Sequence, residues 1–237
     1  MFKKVAILLF YVLLIVITGC ANDENIVAEF ESDNFRLTIN NAGEFTEFKD
    51  LKENKNYLAL DTLAPVMAIR MNNRFYAPEI ASYENNLLIL TYRDTITASI
   101  KIEGKQTHIT FELIELSNKD KIELITWGPY PTTINKIVGE TVGVVRGESY
   151  AIGIQALNIK TLGGYPWNES DRMPAMDIFK QEDFNNMHPK ADGSVLYRVE
   201  AARPTIWGSS LQAYSRNRDK ERMISDRKST RLNSSHP

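Results

Sequence analysis

The residues of this chain best suited to bind a ligand are aromatic side chains that stand beside glycine or proline. Flat aromatic faces stack on the apolar C–H faces of pyranose rings, and neighbouring polar groups then fix the sugar hydroxyls. We therefore predict a carbohydrate-contact surface, with Trp167 in the segment Gly163–Asn168 as its main ligand-facing ring. The alternative is that these aromatic side chains only close the ends of the fold. The candidates are Trp127, Tyr130, Tyr165, Trp167 and Trp207.

Acidic side chains concentrate just after these glycines, and carboxylates are oxygen ligands that suit calcium. The segment lacks the tight alternation of acids found in calcium-binding loops, so we predict solvated charge and keep calcium as the alternative. Paired carboxylates can also perform glycosidic acid–base chemistry, but acids are common in any chain, and we assign no catalytic residue. The acids are Glu169, Asp171, Asp177, Glu182 and Asp183.

The histidines and glycines give no further chemistry. His108 is predicted to be a half-buried strand residue, and His188 precedes Pro189 in a loop. Neither has a partner at the spacing of zinc ligands, so we predict no zinc site. The sequence also has no phosphate-binding glycine loop, no nucleophile elbow and no reactive cysteine.

The first twenty residues have the pattern of a bacterial lipoprotein signal peptide. Lys3 and Lys4 precede an apolar run from Val5 to Ile17, which at 13 residues is shorter than the roughly 20 that span a bilayer. The run ends in Ile17–Cys20, which resembles a lipobox, and Cys20 is the only cysteine. We expect a chain that starts at a lipidated Cys20, with residues 21–30 as a tether. The alternative is an uncleaved membrane anchor.

The environment of the mature chain can be inferred from that signal. Residues 21–25 are polar and acidic, and they resemble the signals that follow the lipid cysteine in surface-exposed lipoproteins of Bacteroidota. We expect an envelope location, at the outer membrane and facing outward. The formal net charge of the chain is −2, so we predict no nucleic-acid partner. The basic residues from Arg216 to Arg222 are interleaved with acidic ones, which predicts a solvated strand edge or loop rather than an anion site.

The C-terminal residues 226–236, Asp-Arg-Lys-Ser-Thr-Arg-Leu-Asn-Ser-Ser-His, resemble the codon-by-codon translation of a common sequencing adapter. The alternative is a basic, serine-rich disordered tail. Because all eleven residues match the adapter translation, we assign residues 226–237 to an artefact and expect the native protein to continue after Ser225. Residues 31–225 then form one domain that is truncated at its C-terminus.

Most of residues 31–225 show the period-two alternation of β-strands. Ile96, Ala98, Ile100 and Ile102 alternate with polar side chains, and turn residues follow every 8 to 12 positions. We predict an all-β antiparallel β-sandwich with long loops and at most one or two short helices, the best helix candidate being Met176–Met187. With a single cysteine, the domain folds without disulfides.

Several short segments resemble the N-terminal β-sandwich of large bacterial glycoside hydrolases, which has a galactose-mutarotase-like supersandwich fold. They are Phe35–Ile39, Ala64–Val66, Phe75–Pro78, Trp127–Thr132, Val144–Gly147 and Tyr150–Ile154. The resemblance implies that a (β/α)8 barrel with the catalytic carboxylates comes after the domain. It also implies that this sandwich supports the barrel, contacts glycan and has no hydrolytic activity of its own.

Two other functions remain open from the sequence. One is a non-catalytic glycan-binding lipoprotein at the cell surface, and the other is a structural or adhesive envelope module with no sugar affinity. The native sequence beyond Ser225 distinguishes the enzyme from the binding protein, because alternating strands and helices predict a barrel and further strands predict sandwiches.

Overall fold

The computed structural model describes residues 25–59, 61–139, 143–164 and 201–217. These residues form seventeen strands and two single turns of 3-10 helix, Arg93–Thr95 and Lys119–Lys121. The strands are β1 (Ile26–Glu31), β2 (Phe35–Asn40), β3 (Phe45–Asp50), β4 (Lys55–Asn56), β5 (Ala68–Met71), β6 (Arg74–Tyr76), β7 (Ile80–Glu84), β8 (Leu87–Thr91), β9 (Thr97–Gly104), β10 (Ile109–Leu116), β11 (Leu124–Thr132), β12 (Ile137–Val138), β13 (Val144–Arg146), β14 (Ala151–Gly153), β15 (Leu162–Gly163), β16 (Ala202–Thr205) and β17 (Gly208–Arg216).

The described strands form four sheets, and every strand pairing in them is antiparallel. The first sheet has the order β1-β2-β3-β4, and the second has the order β10-β9-β8-β7. The third has the order β15-β17-β11-β5-β6, with β16 paired to β17, and the fourth is the meander β12-β13-β14. The prediction of an all-β antiparallel fold is therefore confirmed.

The stacking of the sheets differs from the expected sandwich. The four sheets are arranged as a propeller-like ring of four blades rather than as two clearly stacked layers. Alternation along a strand indicates which side chains face inward, but it does not indicate how separate hairpins turn relative to one another. The blades also differ in strand number, which agrees with the lack of a tandem repeat in the sequence.

Local sequence explains the hairpins well. In β9, the buried side chains Ala98, Ile100 and Ile102 alternate with more exposed ones, as period two requires. The β5–β6 turn is Asn72-Asn73, and both residues have positive φ, of 48° and 58°. Asparagine tolerates this left-handed conformation, and a two-residue hairpin of this kind needs it at both positions.

Other segments depart from the predictions. The first sheet begins with β1 at Ile26, inside the range expected to be a tether. Arg216 ends β17 and is buried, so the prediction of a solvated edge is wrong at this position. The helix candidate Met176–Met187 lies outside the described residues. Among the residues that the structure describes, no helix has the length and apolar character needed to cross a membrane.

Aromatic side chains pack against one another between three of the sheets. Phe45 of β3 contacts Phe48 of the same strand, with ring centroids 5.1 Å apart. It also packs edge-to-face on Phe111 of β10 at 6.0 Å and on Tyr130 of β11 at 5.2 Å. Edge-to-face pairs of this kind add to the free energy gained by burying the rings. The same cluster forms one wall of a large cleft.

Candidate functional site

A large cavity in the described part of the chain lies between the four sheets. It has a volume of about 980 Å³ and is lined by residues from all four sheets. Its aromatic lining is Phe35, Phe45, Phe48, Phe111, Trp127, Tyr130 and Tyr150. We call this cavity the central cleft. Concave sites with mainly apolar walls and a few polar groups are the usual form of small-molecule sites.

Two of the predicted aromatic residues, Trp127 and Tyr130, lie in this cleft. Both belong to β11, and a register shift against β17 falls between them. The Trp127 side chain is 9 % exposed, and its ring is tilted against Phe111 with centroids 6.2 Å apart. The Tyr130 hydroxyl donates a 2.7 Å hydrogen bond to the Val66 carbonyl oxygen. Tyr130 therefore forms part of the cleft wall with its ring while its hydroxyl is already occupied.

Tyr150 is a cleft residue that the sequence analysis did not select as a candidate. Its ring stacks in parallel on Tyr57, with centroids 4.6 Å apart, and Lys55 Nζ lies 4.6 Å from the centroid of the Tyr57 ring. Burial raises the pKa of Tyr150, and the charge of Asp50 and the Tyr57 hydroxyl raise it further. The phenol is therefore neutral at physiological pH and available as a hydrogen-bond donor or acceptor.

Asp50 provides a carboxylate at the same end of the cleft. It ends β3, is 3 % exposed and pairs with Phe35 across the sheet. One of its oxygens, Oδ1, accepts a 2.9 Å hydrogen bond from the backbone N–H of Lys52. A carboxylate has about four acceptor positions, so Asp50 has capacity for a ligand hydroxyl.

The rim formed by the β9–β10 hairpin is charged and internally paired. Glu103 contacts Lys101 Nζ at 2.5 Å and Lys105 Nζ at 2.7 Å. A hydrogen bond from Lys101, and a smaller contribution from the one donated by Lys105, lower the pKa of Glu103 to about 2. Because these three groups are exposed, their pairing orders the rim and contributes little to stability.

The remaining predicted residues do not join this site in the described structure. Trp207 lies in the two-residue loop between β16 and β17, is 44 % exposed and does not line the cleft. His108 is an exposed rim residue just before β10 rather than a half-buried strand residue. The described residues contain no group of three metal-ligating side chains that could hold a metal ion. The predicted residues that lie outside the described ranges are Cys20, Tyr165, Trp167, Glu169, Asp171, Asp177, Glu182, Asp183 and His188.

The cleft residues that sequence reasoning missed come from separate strands. Phe35 and Phe48 alternate with polar neighbours as ordinary core residues do, and Phe111 belongs to a regular amphipathic strand. Only their convergence from different sheets distinguishes them, and no local pattern contains that information. Tyr150 had a weak local signal, because it directly precedes the short strand β14 after a turn.

Comparison with known proteins gives no assignment for the chain. No protein-family model, no curated protein and no solved structure matches the sequence or the fold.

Proposed function

We propose that the described domain binds glycan in the central cleft without catalysing its cleavage. The observation that carries this proposal is a cavity of about 980 Å³ with seven aromatic side chains in its lining. Its volume lies at the upper end of the roughly 300–1,000 Å³ typical of small-molecule sites. Sugars combine apolar C–H faces with many hydroxyls, so they suit an aromatic wall bordered by polar groups.

The polar groups of the cleft favour a neutral glycan. Three lysines and four carboxylates lie among its described lining residues, so the charges nearly cancel. Lys101 and Lys105 are both ion-paired with the Glu103 carboxylate, and the buried Asp50 carboxylate repels anions. Sulfated or uronic-acid polysaccharides therefore gain no electrostatic advantage in this cleft. The lining charges are those of Asp50, Lys52, Glu53, Lys101, Glu103, Lys105 and Glu112.

The parent protein in this proposal is an envelope-anchored glycoside hydrolase whose (β/α)8 barrel comes after the described domain. The segments that resemble galactose-mutarotase-like domains support this proposal. The lipobox-like sequence Ile17–Cys20 supports attachment to the envelope by a lipid on Cys20. Catalytic carboxylates would belong to the barrel, so none is assigned here.

A surface glycan-binding lipoprotein is the second candidate. All four described sheets of this one domain contribute lining residues to the central cleft, and this favours a site that works without a second domain. Native sequence beyond Ser225 separates the two candidates. Alternating strands and helices support the hydrolase, whereas a stop codon or further sandwich domains support the binding protein.

Calorimetric titration of the purified protein against neutral and anionic polysaccharides tests the proposal. We expect saturable binding to at least one neutral glycan and none to sulfated or uronic-acid polymers. Hydrogen–deuterium exchange with that glycan should slow the amides of β9, β10 and the segment directly after Ser149. Absence of binding to every glycan supports a structural module, and turnover of an aryl glycoside contradicts a non-catalytic domain.

A further inference from the structure

The turn between β2 and β3 connects three separate parts of the fold at one end of the domain. The Asn41 N–H donates to the Asn25 carbonyl at 2.8 Å, and the Asn41 carbonyl accepts from the Ala81 N–H at 2.7 Å. Next to the turn, the Phe45 N–H donates to the Ala64 carbonyl at 2.8 Å. The start of β7 and the segments that precede β1 and β5 therefore meet around this turn.

Each of these segments carries an exposed apolar side chain next to its hydrogen-bonded residue. Ile26 follows Asn25 and is 57 % exposed, Leu63 precedes Ala64 and is 65 % exposed, and Ile80 precedes Ala81 and is 61 % exposed. Single exposed apolar residues are ordinary on protein surfaces, but several around one turn indicate a contact surface. We call these three residues the apolar end.

Exposed residues of the central cleft lie beyond the other end of β1. β1 runs from Ile26 to Glu31, a length of about 20 Å for six residues. Just beyond it, the Asp33 N–H donates to the Gln106 carbonyl at 2.9 Å. The exposed cleft-lining residues Asn34, Lys105 and Thr107 lie beside this contact. The cleft mouth and the apolar end are thus separated by the length of β1.

The covalent chain brings the apolar end close to the proposed lipid anchor. Five peptide bonds separate Cys20 from Asn25, so even a fully extended chain spans no more than about 18 Å. Asn25 is hydrogen-bonded within the apolar end itself. If the acyl chains of Cys20 lie in a bilayer, this end of the domain must lie beside the bilayer surface.

We infer that Ile26, Leu63 and Ile80 insert into the interface of the membrane that holds the Cys20 lipid, and that the cleft mouth faces away from it. This inference rests on the lipid anchor in the proposed function. The nearby exposed charges Asp61 and Glu79 are acidic, so apolar contact, and not attraction to anionic lipids, holds the domain there. A glycan outside the membrane then meets an open cleft.

Depth-dependent quenching on the full lipidated chain tests this orientation. Cys20 is the only native cysteine and its thiol is acylated in this proposal, so a single introduced cysteine can be labelled selectively. Ile80→Cys and, as the matched control, Asp33→Cys each receive a fluorophore, and the protein is placed in phosphatidylcholine vesicles that contain brominated lipid. We expect quenching at position 80 to exceed quenching at position 33 by ~threefold or more. Equal quenching at the two positions overturns the inference.

A second variant separates the apolar contact from simple proximity. Adding Ile26→Ser and Leu63→Ser to the labelled Ile80→Cys chain should lower quenching at position 80 towards that at position 33. Unchanged quenching means that the tether alone sets the orientation, which contradicts the inference. If mass spectrometry shows no acyl groups on Cys20, the premise of the inference is wrong and the inference is overturned. Neither result affects the glycan titration, so failure here is distinguishable from failure of glycan binding.

Discussion

Two tyrosine hydroxyls stabilise a buried irregular segment, and their removal should destabilise the fold. Val66 and Met67 precede β5 and are fully buried. Their carbonyl oxygens accept hydrogen bonds from the Tyr130 hydroxyl at 2.7 Å and the Tyr92 hydroxyl at 2.9 Å. Tyr130→Phe or Tyr92→Phe leaves a buried carbonyl without this partner, which costs about 1–3 kcal/mol of unfolding free energy.

Urea unfolding and calorimetry measure this effect. For a domain of 150–250 residues, each kcal/mol corresponds to a fall of about 2–4 °C in Tm. Tyr83→Phe is the matched control, because its half-buried ring packs on Phe30 and its hydroxyl makes no hydrogen bond among the described residues. If Tyr92→Phe and Tyr130→Phe both change stability as little as the control does, the hydroxyls do not support the segment and the reasoning is refuted.

Three further outcomes test the structure. Burial raises the pKa values of Tyr92, Tyr130 and Tyr150. Folding therefore favours the neutral form of each tyrosine. This contribution to stability is complete below about pH 10, and urea midpoints should fall as the pH rises above that value. Gly43 has a φ of 75°, and an added Cβ would lie 2.7 Å from Pro78 Cγ, so Gly43→Ala should cost more than ~1 kcal/mol. Gly147→Ala, whose added Cβ meets its nearest atom at 3.5 Å, should change the urea midpoint little. Glu103, whose pKa the two lysines lower to about 2, should titrate near that value by carbon-13 NMR, and titration near pH 4 contradicts the rim pairing.

The strands were largely predictable from sequence because their signal is local. The alternation of β9 and the Asn72-Asn73 turn each specify one conformation without help from distant residues. β17 shows the limit of prediction from local alternation, since Ser210, Gln212 and Arg216 are buried although their side chains are polar. Burial of those side chains depends on neighbours far away in the sequence, which no periodicity shows.

The site was predictable only in part for the same reason. Trp127 and Tyr130 have a local signal because their strand contains glycine and proline, and both line the cleft. Trp207 has a similar setting, yet it lies in an exposed hairpin loop. Phe111 and Tyr150 reach the cleft because separate sheets close into a ring, and that closure is a property of the tertiary fold.

Glycan binding in the central cleft is tested most directly by titrating variants with a neutral glycan that binds the native protein. Tyr150→Ala removes an aromatic side chain from the cleft wall and should weaken affinity about tenfold, or about 1.4 kcal/mol, whereas Tyr150→Phe retains the ring and most of the affinity. Trp207→Ala, an aromatic change outside the cleft, should leave affinity unchanged. Native affinity in Tyr150→Ala, together with loss in Trp207→Ala, would contradict the assignment of the glycan site to the cleft.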